Sequence, residues 1–217
     1  MKGIEAQMAN DGINWRFNPP ASPHFGGLWE SSVKSAKHHL SRVMKQACLT
    51  LTELQTLLCQ VEACLNSRPL TPLSSNPNDL EPLTPAHFLI GTQMTLPPEP
   101  NLAQESLAGL HRWKLVQGML QNFWNRWRIE YLPQLQIRGK WRAVNKTLKM
   151  DDIVIVKEEN MPPTKWKLAR VTDLHPGSDG NVRVVTIQLA NGNQTKRPVV
   201  KLSRLPTSEE DQEVEKL

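Results

Sequence analysis

The sequence predicts an α+β protein in which helices come first and a small β-barrel follows near the end of the chain. Apolar residues recur every three or four positions in several segments before Leu132, which is the spacing of amphipathic helices. After Trp141 the spacing changes to the period of strands, and five short apolar segments within about 55 residues fit a small SH3-like or OB-like barrel. The hydrophobic content of 39% is sufficient for buried cores, so we do not expect a wholly disordered chain.

The first predicted elements are a strand, a loop and a helix. Residues 13–17 alternate apolar and polar side chains, which predicts a short half-buried strand. The segment 21–27 ends with two glycines and has the composition of a loop. A helix is predicted from Leu28 to about Leu49, because apolar residues recur there at helical spacing.

Two further helices have start and stop signals in the sequence. Thr50 and Glu53 form the capping-box pattern, in which two side chains satisfy backbone N–H groups at a helix N-terminus, and the apolar pattern ends near Ser67. Thr84 followed by proline predicts a short helix that Gly91 ends. The segment between these helices is rich in Pro, Ser and Asn and is predicted to be a loop.

A long helix is predicted from about Ser106 to Leu132, because its apolar residues form a single stripe. Its three tryptophans, Trp113, Trp124 and Trp127, are expected in the core. Stacking of these rings against nucleic-acid bases is the alternative.

The strand region contains two hairpin-turn signals. An Asp-Gly pair ends at Gly180 and an Asn-Gly pair ends at Gly192, on either side of the apolar segment 182–189. Residues 153–156 are apolar at four successive positions, so both faces of this strand are expected to be apolar.

The charge of the chain is unevenly distributed. The formal net charge is +5, but the last eleven residues, 207–217, contain five acids and one base, which leaves +9 on the rest. A body this basic indicates an anionic partner such as nucleic acid. The acidic tail is predicted to be solvated and disordered.

Several classes of protein are excluded at this point. No apolar run reaches the roughly 18 residues of a membrane span, and the N-terminus has no apolar signal core. We therefore expect a protein of the nucleus or cytoplasm that is not secreted and binds no membrane. The three cysteines, Cys48, Cys59 and Cys64, have no C-x-x-C spacing and are expected to be reduced and buried on helices.

The first predicted helix contains a candidate site. Lys34 and Lys37 follow Glu30 by four and seven residues, so all three fall on one helix face. No residue from Ser31 to Thr52 is acidic, whereas this stretch contains four bases and two histidines. A carboxylate at the head of a cationic face suits a Mg²⁺ ion that meets a phosphate chain. The alternative is a glutamate favoured by the helix dipole with solvated lysines behind it.

A second group of bases lies in the predicted barrel. Its members are candidates for a DNA-facing patch or, alternatively, for solvated strand edges, and they are Arg170, Arg183, Lys196, Arg197, Lys201 and Arg204. Nothing in this group predicts base-specific recognition.

Long segments of the chain resemble a known family. Residues 13–30 read Ile-Asn-Trp-Arg-Phe-Asn-Pro-Pro-Ala-Ser-Pro-His-Phe-Gly-Gly-Leu-Trp-Glu, which closely resembles the end of the integrase catalytic core in BEL/Pao-type LTR retrotransposons. The resemblance continues to about Pro206 through the segments 36–40, 65–72, 83–91, 123–127, 140–142, 171–177 and 196–199.

The resemblance implies an arrangement in four parts. Residues 1–97 would be an incomplete RNase H-like core, 98–150 a helical connector, 151–206 an SH3-like barrel and 207–217 the acidic tail. An integrase core of this kind uses two Asp and one Glu to bind two Mg²⁺ or Mn²⁺ ions.

The same resemblance assigns roles to residues. Glu30 matches the glutamate of the acidic trio, and Lys34 and Lys37 match positions that contact donor DNA. Arg42 and Lys45 extend this basic helix and are included as candidate DNA-binding residues. The two aspartates of the trio would precede Glu30 by more residues than this sequence contains, so we expect no tight metal binding and no strand transfer by this chain alone.

The expected function is therefore that of a truncated integrase that binds DNA through its phosphates, with self-association as a further candidate interaction. One alternative is an active full-length integrase whose N-terminal half is missing from the sequence. The other is a peptide reader of the Tudor or chromo type, which would need an aromatic cage, whereas residues 151–206 contain one aromatic side chain, Trp166.

Overall fold

The computed structural model describes residues 27–44, 47–74, 79–102, 111–135, 148–159 and 161–206. These residues form helices and antiparallel sheets, so the predicted α+β class is confirmed. The strand expected at residues 13–17, Lys45 and the tail 207–217 lie outside the described residues. The chain divides into two compact units, Met1–Ser41 and Arg42–Leu217.

Helix α1 spans Gly27–Val43 and lies largely in the first unit. It ends earlier than the predicted end near Leu49. Residues 47–50 are not helical, because Thr50 has an extended backbone (φ −68°, ψ 163°) as the N-cap of the next helix. The apolar pattern located this helix correctly but extended it into the cap of its neighbour.

Helix α2 spans Leu51–Asn66 and begins with the predicted capping box. The Thr50 backbone N–H donates to Glu53 Oε2 at 2.7 Å, and the Glu53 backbone N–H donates to Thr50 Oγ1 at 3.3 Å. Arg112 adds an ion pair to the same carboxylate, with its Nε donating to Oε1 at 2.7 Å. The start of α2 is therefore fixed by its own sequence and by a residue distant along the chain.

Only some of the apolar side chains of α2 are buried. Leu57 is fully buried, whereas Leu58 is 43% exposed, because adjacent helix positions differ by about 100° and face different sides. The prediction for the cysteines is correct at Cys64, which is buried on α2. It is wrong at Cys59, which is exposed on α2, and at Cys48, which is exposed outside any helix.

A small ladder and a short helix follow α2. Strands β1 (Thr71–Pro72) and β2 (Pro82–Leu83) pair antiparallel within the segment that was predicted to be a loop. A ladder this short depends on its partner strand rather than on residue preference, so composition does not reveal it. Helix α3 spans Pro85–Ile90 with Thr84 as its N-cap, and Gly91 ends it with a φ of 74°, as predicted.

Helix α4 spans Arg112–Gln134, and the predicted start at Ser106 lies outside the described residues. Trp124 and Trp127 are buried, which confirms the prediction for these two rings, but Trp113 is 52% exposed. Trp113 lies about 16 Å along the helix axis from Trp124. Trp113 shares a helix face with the buried rings, but the elements that pack on those rings do not cover it.

The second unit contains a five-stranded antiparallel sheet. Its strands are β3 (Ile153–Val156), β4 (Leu168–Pro176), β5 (Val182–Leu189), β6 (Gln194–Pro198) and β7 (Leu202–Arg204). Their order is β6-β5-β4-β3-β7, so the last strand pairs with the first. Gly180 and Gly192 have positive φ values of 75° and 79° in the predicted hairpin turns. A 3-10 helix, Val199–Lys201, lies between β6 and β7.

Strand β3 is buried on both faces, as its four apolar residues predicted. Val154 faces a core that it shares with strands β4, β5 and β7. Ile153 and Ile155 face a second core that includes Leu132 from the last turn of α4. The Leu132 carbonyl, which has no partner within the helix end, accepts from the buried Ser203 Oγ at 3.0 Å. Helix α4 therefore packs directly on the sheet.

Four aromatic rings join α4 to the loop between β3 and β4. The ring centroid of Trp166 lies 4.9 Å from Trp124, 6.1 Å from Trp127 and 5.9 Å from Tyr131, in edge-to-face geometry. Three of these rings donate hydrogen bonds to other elements: Trp124 Nε1 to the Met161 carbonyl at 2.8 Å, Tyr131 Oη to the Pro69 carbonyl at 2.8 Å, and Trp166 Nε1 to Ser67 Oγ at 3.2 Å. We call these four residues the aromatic cluster.

The aromatic cluster connects the end of α2, helix α4 and the sheet within the second unit. The boundaries that were predicted near residues 97 and 150 remain predictions, and the described elements pack together across both of them. Among the helices that the structure describes, none has the length and apolar content that crossing a bilayer requires.

The aromatic cluster predicts a large difference between two tryptophans of one helix. Replacing the fully buried Trp124 with alanine should lower the free energy of unfolding by roughly 3–5 kcal/mol, because it leaves a cavity and removes ring contacts. Trp113→Ala is the matched control and should change it by less than about 1 kcal/mol. Urea unfolding followed by circular dichroism measures both, and equal losses would contradict this account of α4.

The ion pair at the start of α2 predicts a pH dependence. Hydrogen bonds from Arg112 and from the Thr50 backbone lower the pKa of the Glu53 carboxyl from 4.5 to about 2. The Glu53 carboxylate therefore stabilises the folded protein fully above about pH 4.5, and this stabilisation is lost as the pH falls toward 2. Glu53→Gln should be less stable than the native protein at pH 7, and the difference should vanish near pH 2. Urea unfolding across this range tests it, with Glu62→Gln on the same helix as control for the loss of one acid.

Candidate nucleic-acid interface

Three exposed charges of α1 share one face of the helix. Glu30 lies in the first turn, and Lys34 and Lys37 follow four and seven residues later, so the three exposed side chains share one face. Arg42 is exposed in the last turn, where a cation also interacts favourably with the helix dipole. The structure thus places four of the five predicted residues on one helix, and the fifth, Lys45, lies outside the described residues.

The bases of α1 have no acid close by in sequence. The stretch from Ser31 to Thr52 contains none. Within the part of the chain that the structure describes, no ion pair includes Lys34, Lys37 or Arg42. Exposed bases without neutralising partners attract phosphates over distances of about 10 Å at moderate salt.

The described residues do not fit a two-metal centre. Such a centre needs several carboxylates around both ions, and Glu30 is the one acid in the sequence of α1. Across the described ranges, no three His, Cys, Asp or Glu side chains come close enough together to hold a metal ion. The charge pattern of α1 therefore supports contact with phosphates, and no chemical step is derived from Glu30.

The predicted bases of the sheet have partners. Arg170 on β4 is only 15% exposed at its side chain, and its Nη1 donates to the Asp151 carbonyl at 3.1 Å, with the Asp151 carboxylate 3.9 Å away. Arg183 on β5 forms two parallel bonds with Asp179, of 3.0 Å from Nη1 and 2.6 Å from Nη2. This bidentate pair, with further hydrogen bonds from Asn181, holds the pKa of the Asp179 carboxyl far below its usual range. Both arginines are therefore engaged within the protein.

The two bases of strand β6 point to opposite sides of the sheet. Lys196 is exposed and lies opposite Thr186 on the outer face, whereas Arg197 pairs with Val185, a residue of the inner core. Arg197 donates to Thr195 Oγ1 at 3.2 Å and lies 4.0 Å from Glu158. Of the four candidate bases on β4, β5 and β6, Lys196 is the one for which no ion pair is found among the described residues.

The sequence analysis missed the polar network on this outer face. His175 and Thr186 are joined by a hydrogen bond of 2.8 Å between Nε2 and Oγ1, and Asp173 Oδ2 lies 3.8 Å from His175 Nδ1. Polar residues at alternate positions of β4 and β5 were the available signal, since alternation marks one face of a strand. The acid Asp179, which neutralises Arg183, was also detectable from its position four residues earlier.

Comparison with protein families gives one match. Residues 111–205 match the model of a family of unknown function, DUF5641, which covers less than half of the chain. The match begins at His111, the N-cap of α4, and ends at Leu205, directly after β7. It therefore includes the helix together with the sheet on which it packs. No curated protein matches the chain.

The pair formed by Asp179 and Arg183 gives a direct test of the electrostatics. Arg183→Gln should raise the pKa of the Asp179 carboxyl, because the largest cause of its lowering is removed. Carbon-detected NMR titration of the aspartate side chains follows this change. Lys196→Gln is the matched control on the neighbouring strand and should leave Asp179 unaltered. A titration of Asp179 that is identical in the native protein and in Arg183→Gln would show that the pair does not form in solution.

Proposed function

We propose that this protein binds DNA through phosphate contacts as the C-terminal part of a BEL/Pao-type retrotransposon integrase, and that it takes part in DNA integration. The observation that carries the proposal is the exposed face of α1 on which Lys34 and Lys37 have no ion-pair partner among the described residues. The sequence resemblance supplies the identity of the partner, because phosphate affinity alone does not distinguish DNA from other polyanions.

The architecture of the sheet supports the SH3-like part of this proposal. A meander of five antiparallel strands in which the last strand returns to pair with the first is the arrangement of a small barrel. The one-turn 3-10 helix between β6 and β7 is in keeping with that arrangement, since it turns the chain from one edge of the sheet to the other. The RNase H-like origin of residues 1–97 rests on the resemblance.

The distribution of partners indicates which bases would contribute most to binding. Arg170 and Arg183 are engaged by Asp151 and Asp179, so a phosphate would have to compete with a carboxylate for them. Lys34 and Lys37 have no such carboxylate partner within the ranges that the structure describes. We therefore propose that α1 makes the main electrostatic contribution to DNA binding and that Lys196 makes a smaller one.

The proposal is limited to binding. The family's trio of acids would use Mg²⁺ or Mn²⁺, and Glu30 would be its third member. The described residues provide no group that fits two metal ions, so we propose no cleavage or strand transfer by them.

The proposal predicts the salt dependence of DNA binding. Each phosphate contact contributes a slope of about −0.9 to a plot of log K against log salt concentration. Lys34→Gln combined with Lys37→Gln should therefore weaken binding of the full chain to a DNA duplex and reduce the slope by about 2. Fluorescence anisotropy from about 50 to 300 mM salt measures both quantities.

The matched control removes two charges elsewhere. Lys114→Gln combined with Lys165→Gln has the same net charge as the first double variant, and both lysines are exposed in the second unit. The control should retain nearly all of the affinity and slope. A flat salt dependence for the native protein, or equal losses in the two double variants, would refute the assignment to α1.

A further inference from the structure

A group of basic side chains meets at one end of the five-stranded sheet, where β3 ends. Lys157 directly follows β3, and its backbone N–H donates to the Lys201 carbonyl at 2.8 Å, so the two lysines lie on neighbouring chain segments. The Lys157 Nζ donates to the carbonyl of Val200 at 3.3 Å. Arg197 reaches the same place from β6, because its Nη2 lies 4.0 Å from Oε1 of Glu158, the residue after Lys157. We call Lys157, Arg197 and Lys201 the basic cluster.

The acids beside the basic cluster do not balance its charge. The Glu158 carboxylate is held by Lys167 Nζ at 2.7 Å, so its charge is largely compensated there. The Glu159 side chain is 90% exposed and lies 3.9 Å from Lys201 Nζ, and an exposed pair of this kind contributes little. Within the part of the chain that the structure describes, Lys157 forms no ion pair. The basic cluster therefore keeps an excess of positive charge.

The environment of Lys157 disfavours the charge of its own ammonium group. The residue is half-buried, and both this burial and the neighbouring Lys201 ammonium lower the pKa of the Lys157 amine. Like charges held close together repel each other, and an anion that binds beside both of them relieves this repulsion. The arrangement therefore favours an anion over a cation or an apolar group.

The unused donors of the basic cluster fit a phosphate group. Lys157 has three ammonium N–H groups, of which one donates to the Val200 carbonyl, and the Lys201 side chain is 54% exposed. The local hydrogen bonds of the Arg197 guanidinium that the described residues show come from Nη1, so its Nη2 has donors to spare. A phosphate carries acceptor oxygens in several directions, so it can accept from bases on three chain segments at once. A carboxylate has both oxygens in one plane and suits a single arginine fork better.

We propose that Lys157, Arg197 and Lys201 form a binding site for a phosphate group. The inference rests on the proposed function in one respect, because a DNA backbone is the source of phosphate that it assigns to the site. A free phosphate ion has the same chemistry, so inorganic phosphate and a DNA duplex are tested separately. The site lies in the second unit and would add one localised contact to those of α1. The sequence analysis did not single out Lys157, because spacing along β3 reveals neither the like-charged neighbour nor the compensated acid.

The first experiment titrates the full chain with inorganic phosphate at constant ionic strength, with chloride as the anion that is replaced. The backbone N–H signals of Lys157 and Lys201 report binding in two-dimensional NMR. Both signals should shift and saturate together, and chloride alone should leave them unaltered. Shifts that do not saturate would overturn the proposal.

Variants of the cluster test its charges. Lys201→Gln should weaken phosphate binding about fivefold, because it removes one charge-assisted contact from an exposed site. Lys201→Arg keeps the charge and should bind like the native protein, and Lys114→Gln on α4 is the matched control. Glu159→Gln removes the acid beside Lys201 and should strengthen binding about twofold, an effect that a purely structural role of Lys201 would not produce. Equal affinities in Lys201→Gln and Lys114→Gln would contradict the proposal.

The second experiment measures binding of a DNA duplex. Lys157→Gln combined with Lys201→Gln should reduce the slope of log K against log salt concentration by about 1, as expected for one phosphate contact. An unaltered slope together with saturable phosphate binding would assign the site to a free phosphate and overturn its role in DNA binding.

The two proposals fail in different ways. Lys34→Gln combined with Lys37→Gln should leave the affinity of the basic cluster for inorganic phosphate unchanged, so a failure of DNA binding by α1 does not affect this measurement. Circular dichroism checks the fold of the Lys157 and Lys201 double variant. If that fold is lost, the single exposed change Lys201→Gln decides the outcome with both probes.

Discussion

The contact of Trp166 with three aromatic side chains of α4 is the interaction on which the second unit depends. Trp166 lies in the loop before β4, so its burial holds the sheet against the helix. Its indole nitrogen also bonds Ser67 at the end of α2, which adds a third element to the same point. Burying these rings costs little in lost hydration, because the polar atoms of Trp124, Tyr131 and Trp166 all have hydrogen-bond partners. The helix and the sheet therefore form one packed body. The family match agrees with this, because it begins at the N-cap of α4 and ends directly after β7.

The same loop also borders a small cavity of about 70 Å³ beside Trp113. Thr164 has a positive φ of 64°, an unusual conformation for a β-branched residue, and is almost fully buried. Its Oγ1 accepts a hydrogen bond from the backbone N–H of Leu96 at 3.2 Å, which fixes the segment that forms one wall of the cavity. Strain of this kind persists only where the surrounding structure imposes it. The recess beside Trp113 is therefore set in place by the core of the unit rather than by a mobile surface segment.

The basic residues fall into two groups. Some form ion pairs with acids of the protein, and others have no ion-pair partner among the described residues. The net charge of +5 does not distinguish between these two groups of bases. Arg183 is held by Asp179, and Arg170 by Asp151, so these charges stabilise the sheet and its turns. The lysines of α1 have no such partner among the described residues, and they carry our proposal of DNA binding.

The sequence by itself determined the features that depend on neighbouring residues. The capping box at Thr50, the end of α3 at Gly91 and the two hairpin turns were predicted correctly, because each signal acts within a few residues of backbone. The two-sided burial of β3 followed equally from its run of apolar side chains. Only the tertiary structure decided that Trp124 is buried and Trp113 exposed on one stripe, and that Arg170 is engaged by Asp151. Spacing defines which face a side chain occupies, but burial and charge compensation depend on which other element reaches that face.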